Sequence, residues 1–123
     1  MVTISRNLKR LVYLVSPNKI YPNFYNDLNK VLASKKVFFF QLRLKKNTSN
    51  EVITIAKRIK NITQKHNVKL IINDNSLIAK KVNADGCHLG QKDDSIKLAR
   101  KNIKKKIIGV TCHRSKKTCF VSL

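Results

Sequence analysis

VFFFQLRLKKNTSNEVITIAKRIKNITQKHNVKLII, residues 37–72, is the stretch on which the fold turns. It opens on a short continuous apolar run, Val37–Arg43 (VFFFQLR), which reads as a strand. Thr48 followed by Glu51 has capping-box spacing, in which each residue satisfies a backbone N–H of the other at the start of a helix. From there Val52, Ile55, Ile59 and Ile62 form an apolar stripe that predicts a helix to about Lys65. A second apolar run, Lys69–Ile72 (KLII), follows as a strand. A helix of this length is a crossover and not a hairpin loop, so the two strands lie parallel with a right-handed connection.

The same alternation continues on both sides. Upstream, Leu11–Val15 (LVYLV) is a strand broken by Ser16-Pro17-Asn18. Pro22 suits the first turn of a helix through Leu32, with Phe24, Leu28, Val31 and Leu32 along one stripe. Downstream, Ser76 starts a short helix carrying Leu77, Ile78 and Val82, and Gly86–Leu89 (GCHL) is a short strand. Asp94 or Ser95 caps a helix to about Lys101, and Ile107–Val110 (IIGV) is a fifth strand. Strands that are continuous apolar runs belong to a sheet covered on both faces or closed into a barrel. A doubly wound sheet is the alternative, but no Gly-rich phosphate loop follows the first strand, where a dinucleotide fold would carry one. The expected fold is therefore α/β: a partial TIM (β/α) barrel of about five parallel strands with outer helices. The 123 residues fall well short of the roughly 250 of a complete eight-stranded barrel.

Composition narrows the function classes. A hydrophobic fraction of 42% excludes a disordered chain. The net charge is +21, from 27 Lys+Arg against 6 Asp+Glu, which invites a polyanionic partner. Yet the lysines are spread along the chain, with only Lys104-Lys105-Lys106 as a run, and Asn and Ile are also heavily used, a bias of A/T-rich coding. Cys87, Cys112 and Cys119 are odd in number and form no CxxC pair, which argues against a disulfide framework or zinc site and fits a reducing compartment. The N-terminus carries no apolar signal-peptide core, and no apolar stretch approaches the roughly 20 residues of a membrane span. The expected location is the cytoplasm.

Polar residues gather where the apolar runs end, at the edge of a parallel α/β sheet that binds ligands. Gln41, Arg43 and Lys45 are spaced by two and share one face of a strand; a planar Arg fork and a Lys charge there suit clustered anionic oxygens. The six acids are scarcer and more informative. Asp74 follows the third strand directly, and Asp93 follows the fourth, so the two carboxylates are expected near each other as hard oxygen ligands for Mg²⁺. The competing reading is that Asp74 or Asp93 caps the next helix; for Asp94 capping is preferred, and Asp85, before Gly86, reads as a turn residue. His88 points away from its neighbours Cys87 and Leu89 at a strand end, and Thr111 places a hydroxyl at the end of the fifth strand, within reach of a phosphate oxygen. Cys112-His113 does not make a nucleophile–base pair, because sequence neighbours on a strand point in opposite directions.

Five motifs in order carry a family resemblance: Tyr13-Leu14-Val15, Gln41-Leu42-Arg43-x-Lys45, Ile72-Asn73-Asp74, Ala84-Asp85-Gly86-Cys87-His88-Leu89-Gly90-Gln91-x-Asp93 and Ile108-Gly109-Val110-Thr111-Cys112-His113. Over Tyr13–Lys117 the chain resembles the thiamine-phosphate synthases, and the related thiazole tautomerases less. The resemblance implies a Mg²⁺-dependent transferase that joins hydroxymethylpyrimidine diphosphate to a thiazole phosphate, giving thiamine phosphate and pyrophosphate. It implies that Gln41, Arg43, Lys45 and Asn73 hold the pyrimidine diphosphate and that Asp74 and Asp93 ligate Mg²⁺. His88 then lines the pyrimidine pocket, and Thr111 meets the pyrophosphate as a catalytic contact.

Two departures accompany the likeness. The family's later Gly-Pro-x-x-x-Thr-x-Thr-Lys stretch and Gly-rich turns, which grip the thiazole phosphate, have no match here, and residues 118–123 (TCFVSL) are not family-like. Residues 1–117 are therefore expected to be the N-terminal part of the barrel, truncated and inactive alone, with self-association through open edges. The alternative function is a small basic nucleic-acid-binding protein. Against it, the aromatic residues sit in apolar runs instead of among the basic ones, and no nucleic-acid-binding motif is present.

Overall fold

The computed structural model describes residues 11–90 and 95–111. Its five strands are β1 (Val12–Val15), β2 (Val37–Leu42), β3 (Lys69–Asn73), β4 (Gly86–Leu89) and β5 (Ile107–Val110). Between them lie α1 (Phe24–Leu32), α2 (Ser49–Lys65), α3 (Ser76–Lys81) and α4 (Ile96–Ile103). The strands pair in chain order, β1-β2-β3-β4-β5, and every pair is parallel. No switch point interrupts the order, which sets aside the doubly wound alternative and leaves the partial barrel expected from the strand–helix alternation.

Strand alternation divides the sheet into two faces. Phe40, Leu42, Leu70, Ile72, Cys87, Leu89 and Ile108 point to the helices and join residues of all four helices in one buried core. Leu32, Ile59 and Leu70 are fully buried within it, each worth roughly 1.5–3 kcal/mol relative to exposure. Among the described residues, the opposite face carries no helix. There Tyr13 is 47% exposed, Val15 45% and Ile107 40%, all on β1 and β5, the outer strands of the described sheet. Ile71, on the same face of the central strand, is buried.

Several details differ from the sequence reading. The helix expected from Pro22 starts at Phe24; Pro22 lies in the preceding turn, closed by Phe24 N–H donating to the Tyr21 carbonyl at 3.0 Å. Val31 and Leu77, assigned to apolar stripes, are exposed, because the core side of their helices is taken by Phe24, Leu28 and Leu32 and by Ile78 and Ala79. A register shift between Val12 and Tyr13 pairs Val12 with Val37 but Tyr13 with Phe39. Phe38 is the extra residue and is exposed, while Val37 is buried, so the simple alternation of the apolar run fails at its first end.

Local chemistry fixes the element ends. The Thr48–Glu51 capping box is formed, with Thr48 N–H donating to Glu51 Oε1 at 2.8 Å and Glu51 N–H to Thr48 Oγ1 at 3.2 Å. Ser95 caps α4, accepting from Leu98 N–H at 3.1 Å; Asp94 lies outside the described residues. Asp85 does more than turn the chain. Its Oδ2 accepts the Leu70 N–H at 2.8 Å, and its own N–H donates to the Leu70 carbonyl at 2.9 Å, tying β3 to the entry of β4.

Candidate functional site

Gln41, Arg43, Lys45, Asn73, Asp74, His88 and Thr111 line one cavity of about 500 Å³, completed by Val15 and Gly90. It sits at the carboxyl ends of the strands, where parallel βα units place their ligand-binding loops. Every site residue expected from the sequence is here except Asp93, which lies outside the described residues.

Four backbone devices build this rim. Ser16, directly after β1, is buried; its Oγ accepts the Arg43 N–H at 2.9 Å, and its N–H donates to the Gln41 carbonyl at 2.9 Å. The β1–β2 pairing therefore continues past the last regular residue and fixes the backbone of Arg43. Thr111 N–H donates to the Leu89 carbonyl at 3.0 Å and extends β4–β5 in the same way. Asp74 N–H donates to the His88 carbonyl at 2.7 Å and extends β3–β4. Asp74 also has φ 69°, the left-handed region. Of the other non-glycine residues with positive φ, Lys35, Asn67 and Asn83 follow helix ends and Lys104 is itself a C-cap, the usual place for that conformation. Asp74 instead adopts it at a strand end facing the cavity, a position where unusual backbone accompanies function.

The capping alternative for Asp74 is settled by its neighbour. Asn75 is the N-cap of α3, and its Oδ1 accepts the Ile78 N–H at 3.0 Å. The Asp74 carboxylate is directed to Lys45, with Nζ 3.7 Å from Oδ2.

On the cavity wall, His88 Nε2 lies 2.9 Å from Thr111 Oγ1, a hydrogen bond whose donor depends on the imidazole tautomer. The ring lies across Gly109, where a Cβ would meet His88 Nδ1 at 2.7 Å. On the other side, Gln41 is buried and its Nε2 donates to the Tyr13 hydroxyl at 3.1 Å, while the Tyr13 and Phe39 rings lie tilted against each other with centroids 5.3 Å apart. Burial pushes the Tyr13 phenol above its ordinary 10, partly offset by the bond from Gln41, so it stays protonated near neutral pH.

Three supporting residues thus escaped the sequence reading as site members. Ser16 read only as a strand breaker, Gly109 as part of an apolar run, and Tyr13 as one residue of a family motif. The signal for Ser16 was a small hydroxyl at the end of an apolar run. Tyr13 and Gly109 left no signal of their own, because pairing between strands is what brings them beside Gln41 and His88.

A second cavity of about 410 Å³ lies at the opposite ends of the strands, lined by residues that include Lys60, Asn67, Lys69, Asp85 and Lys106. Lys106 Nζ bonds Asn83 Oδ1 and the Ala84 carbonyl there. Its acid is already engaged, because Asp85 accepts the Leu70 N–H.

Fold and site together define a class: a parallel (β/α) half-barrel with cationic, carboxylate, imidazole and hydroxyl groups converging at the strand carboxyl ends. The chain belongs to the thiamine monophosphate synthase family, whose model matches residues 12–120, a family of transferases in thiamine biosynthesis. It is 63% identical over 108 residues to the thiamine-phosphate synthase of Pelagibacter ubique, covering 87% of this chain and 52% of that one. It is 43% identical over 113 residues to the Clostridium tetani thiamine-phosphate synthase, covering 89% and 53%. The fold matches a thiamine phosphate pyrophosphorylase from Pyrococcus furiosus with a TM-score of 0.72 at 24% identity, covering 86% of this chain and 51% of the other. The chain spans about half the length of the curated relatives it matches.

Proposed function

We propose that this chain forms the pyrimidine-diphosphate half of a thiamine-phosphate synthase site, for the Mg²⁺-dependent joining of hydroxymethylpyrimidine diphosphate and a thiazole phosphate. The observation that carries the reading is the convergence of the seven expected residues on one cavity at the strand carboxyl ends. Arg43 offers a planar fork and Lys45 a point charge to the diphosphate oxygens. Gln41, held by Tyr13, and Asn73 provide neutral polar contacts that orient the ring and its first phosphate. His88 presents its imidazole to the pyrimidine, and Thr111, bonded to it, presents a hydroxyl to the leaving pyrophosphate. Negative charge grows on that pyrophosphate as its bond to carbon breaks, so cations gathered at this rim lower the barrier directly.

The carboxylate fits a divalent cation. Asp74 already faces a cation, the Lys45 ammonium, on the cavity rim. Among the described residues no group of three or more His, Cys, Asp or Glu side chains forms a metal cage. Mg²⁺ needs no such cage, being usually held by one or two protein carboxylates plus phosphate oxygens and water. Asp74 and Asp93 would hold the ion, which would neutralise charge on the departing pyrophosphate. Residues 1–117 would be the family-like part of the barrel and 118–123 a divergent tail, working in the cytoplasm. The exposed apolar residues of β1 and β5 would drive self-association of residues 1–123, visible as a concentration-dependent mass in solution.

Calorimetry with hydroxymethylpyrimidine diphosphate and Mg²⁺ tests the reading. Arg43→Met should weaken binding by roughly ten-fold, the worth of a charge-assisted contact. Binding indifferent to Arg43→Met, Asn73→Ala and His88→Ala would show that the cavity is not the diphosphate site.

A further inference from the structure

We propose that Lys45 is a resident counter-ion of Asp74, exchanged for a divalent cation when a diphosphate arrives, so that cation and anion enter this site as a coupled pair. The inference rests on the diphosphate reading above and adds to it a coupling between the two ligands.

The two partners differ in how they are held. Asp74 is anchored through its backbone: its N–H is bonded to the His88 carbonyl at 2.7 Å and its φ of 69° fixes the exit of the side chain. Lys45 lies past the end of β2 and before the capped start of α2, on a flexible four-carbon stem. Their side chains are 45% and 39% exposed, so packing does not lock the 3.7 Å pair in place. An ammonium has three donors and no geometric preference between carboxylate and phosphate oxygens. A fixed carboxylate beside a movable cation is a geometry that permits exchange.

Electrostatics gives the exchange its direction. A divalent ion approaching Asp74 alone meets the Lys45 ammonium less than 4 Å from the same oxygen, with Arg43 on the same cavity wall. Both oppose it. A diphosphate reverses the balance: its oxygens draw Lys45 off the carboxylate and supply ligands to the metal that Asp74 then also holds. Each ligand removes an obstacle to the other, and the coupling is reciprocal because it is a free energy shared by two binding events.

The test uses Mn²⁺ as a paramagnetic probe on the full 123-residue chain, counting free ion by electron paramagnetic resonance without any anion. Lys45→Met should tighten Mn²⁺ binding by about two- to five-fold, the scale of an exposed ion pair. In parallel calorimetry the same variant should weaken inorganic pyrophosphate binding by roughly ten-fold. Opposite shifts from one substitution are not produced by a merely structural residue. Lys45→Arg, which keeps the charge, should leave Mn²⁺ as weakly bound as in the native chain, and Asp74→Ala should abolish its binding. Mn²⁺ binding that is unchanged or weaker in Lys45→Met, or absent from both chains, overturns the exchange. Equal tightening by Lys46→Met also overturns it, because net charge alone would then explain the effect. The diphosphate reading fails on a separate measurement, pyrophosphate binding indifferent to Arg43→Met, so the two failures are distinguishable.

Discussion

Gly109→Ala isolates the packing that aims His88. Neither Gly86 nor Gly109 has a positive φ, so close approach and not backbone freedom demands glycine at both. A Cβ at Gly109 would lie 2.7 Å from His88 Nδ1 and 3.6 Å from the ring Cε1. Ordinary contact begins at 3.4 Å, so the imidazole must move by about 0.7 Å to regain it. A shift of that size carries Nε2 out of good hydrogen-bonding range of Thr111, which now sits at 2.9 Å. Overpacking of this kind costs about 1–3 kcal/mol, read as a lower urea midpoint at unchanged slope. Because the clash is with a side chain, His88→Ala should relieve it: the double variant should be more stable than the two single losses added together, by a coupling of similar size. Gly86 is the contrast. A Cβ there would overlap the Ile107 backbone oxygen, so Gly86→Ala must part β4 from β5, and no side-chain truncation should rescue it. Strict additivity of Gly109→Ala and His88→Ala would refute the account, as would an unshifted His88 ring resonance in Gly109→Ala.

Three further outcomes follow from the same structure. Ser16→Ala removes the acceptor of the part-buried Arg43 N–H, and should cost about 1 kcal/mol of urea stability together with a few-fold loss of pyrophosphate affinity in calorimetry. Lys106 has its pKa lowered by burial and next by the charge of Lys60. Between that lowered value and the ordinary 10.5 the unfolded chain holds more protons than the folded one, so stability should rise with pH through this window; the rise should be missing from Lys106→Met in urea titrations across alkaline pH. The charge of +21 should give DNA binding that is weak, indifferent to sequence and steeply dependent on salt. Sequence-selective binding that persists at high salt in a filter or anisotropy assay would favour the nucleic-acid reading.

The apolar runs and helical stripes were enough to place five parallel strands in order, because strands of a sheet covered on both faces or closed into a barrel are apolar throughout and a crossover helix shows a 3.6-residue period. The Thr48–Glu51 box was equally legible, since both partners lie within one turn. The polar residues at strand ends could be named as site members for the same reason: a two-residue period assigns Gln41, Arg43 and Lys45 to one face without knowledge of any other strand. What the chain could not declare by itself is what depends on contacts between distant residues. The bulge that exposes Phe38 is set by pairing with β1, and the place of Asp74 at the cavity by its N–H bonding the His88 carbonyl of β4 and its carboxylate facing Lys45. Ser16 becomes part of the site only because parallel pairing brings it to Arg43, and Gly109 only because β4 lays His88 across it. Local periodicity is a property of neighbouring residues and survives in the sequence; register, bulges and the aim of a side chain are settled between strands that meet only when the sheet forms.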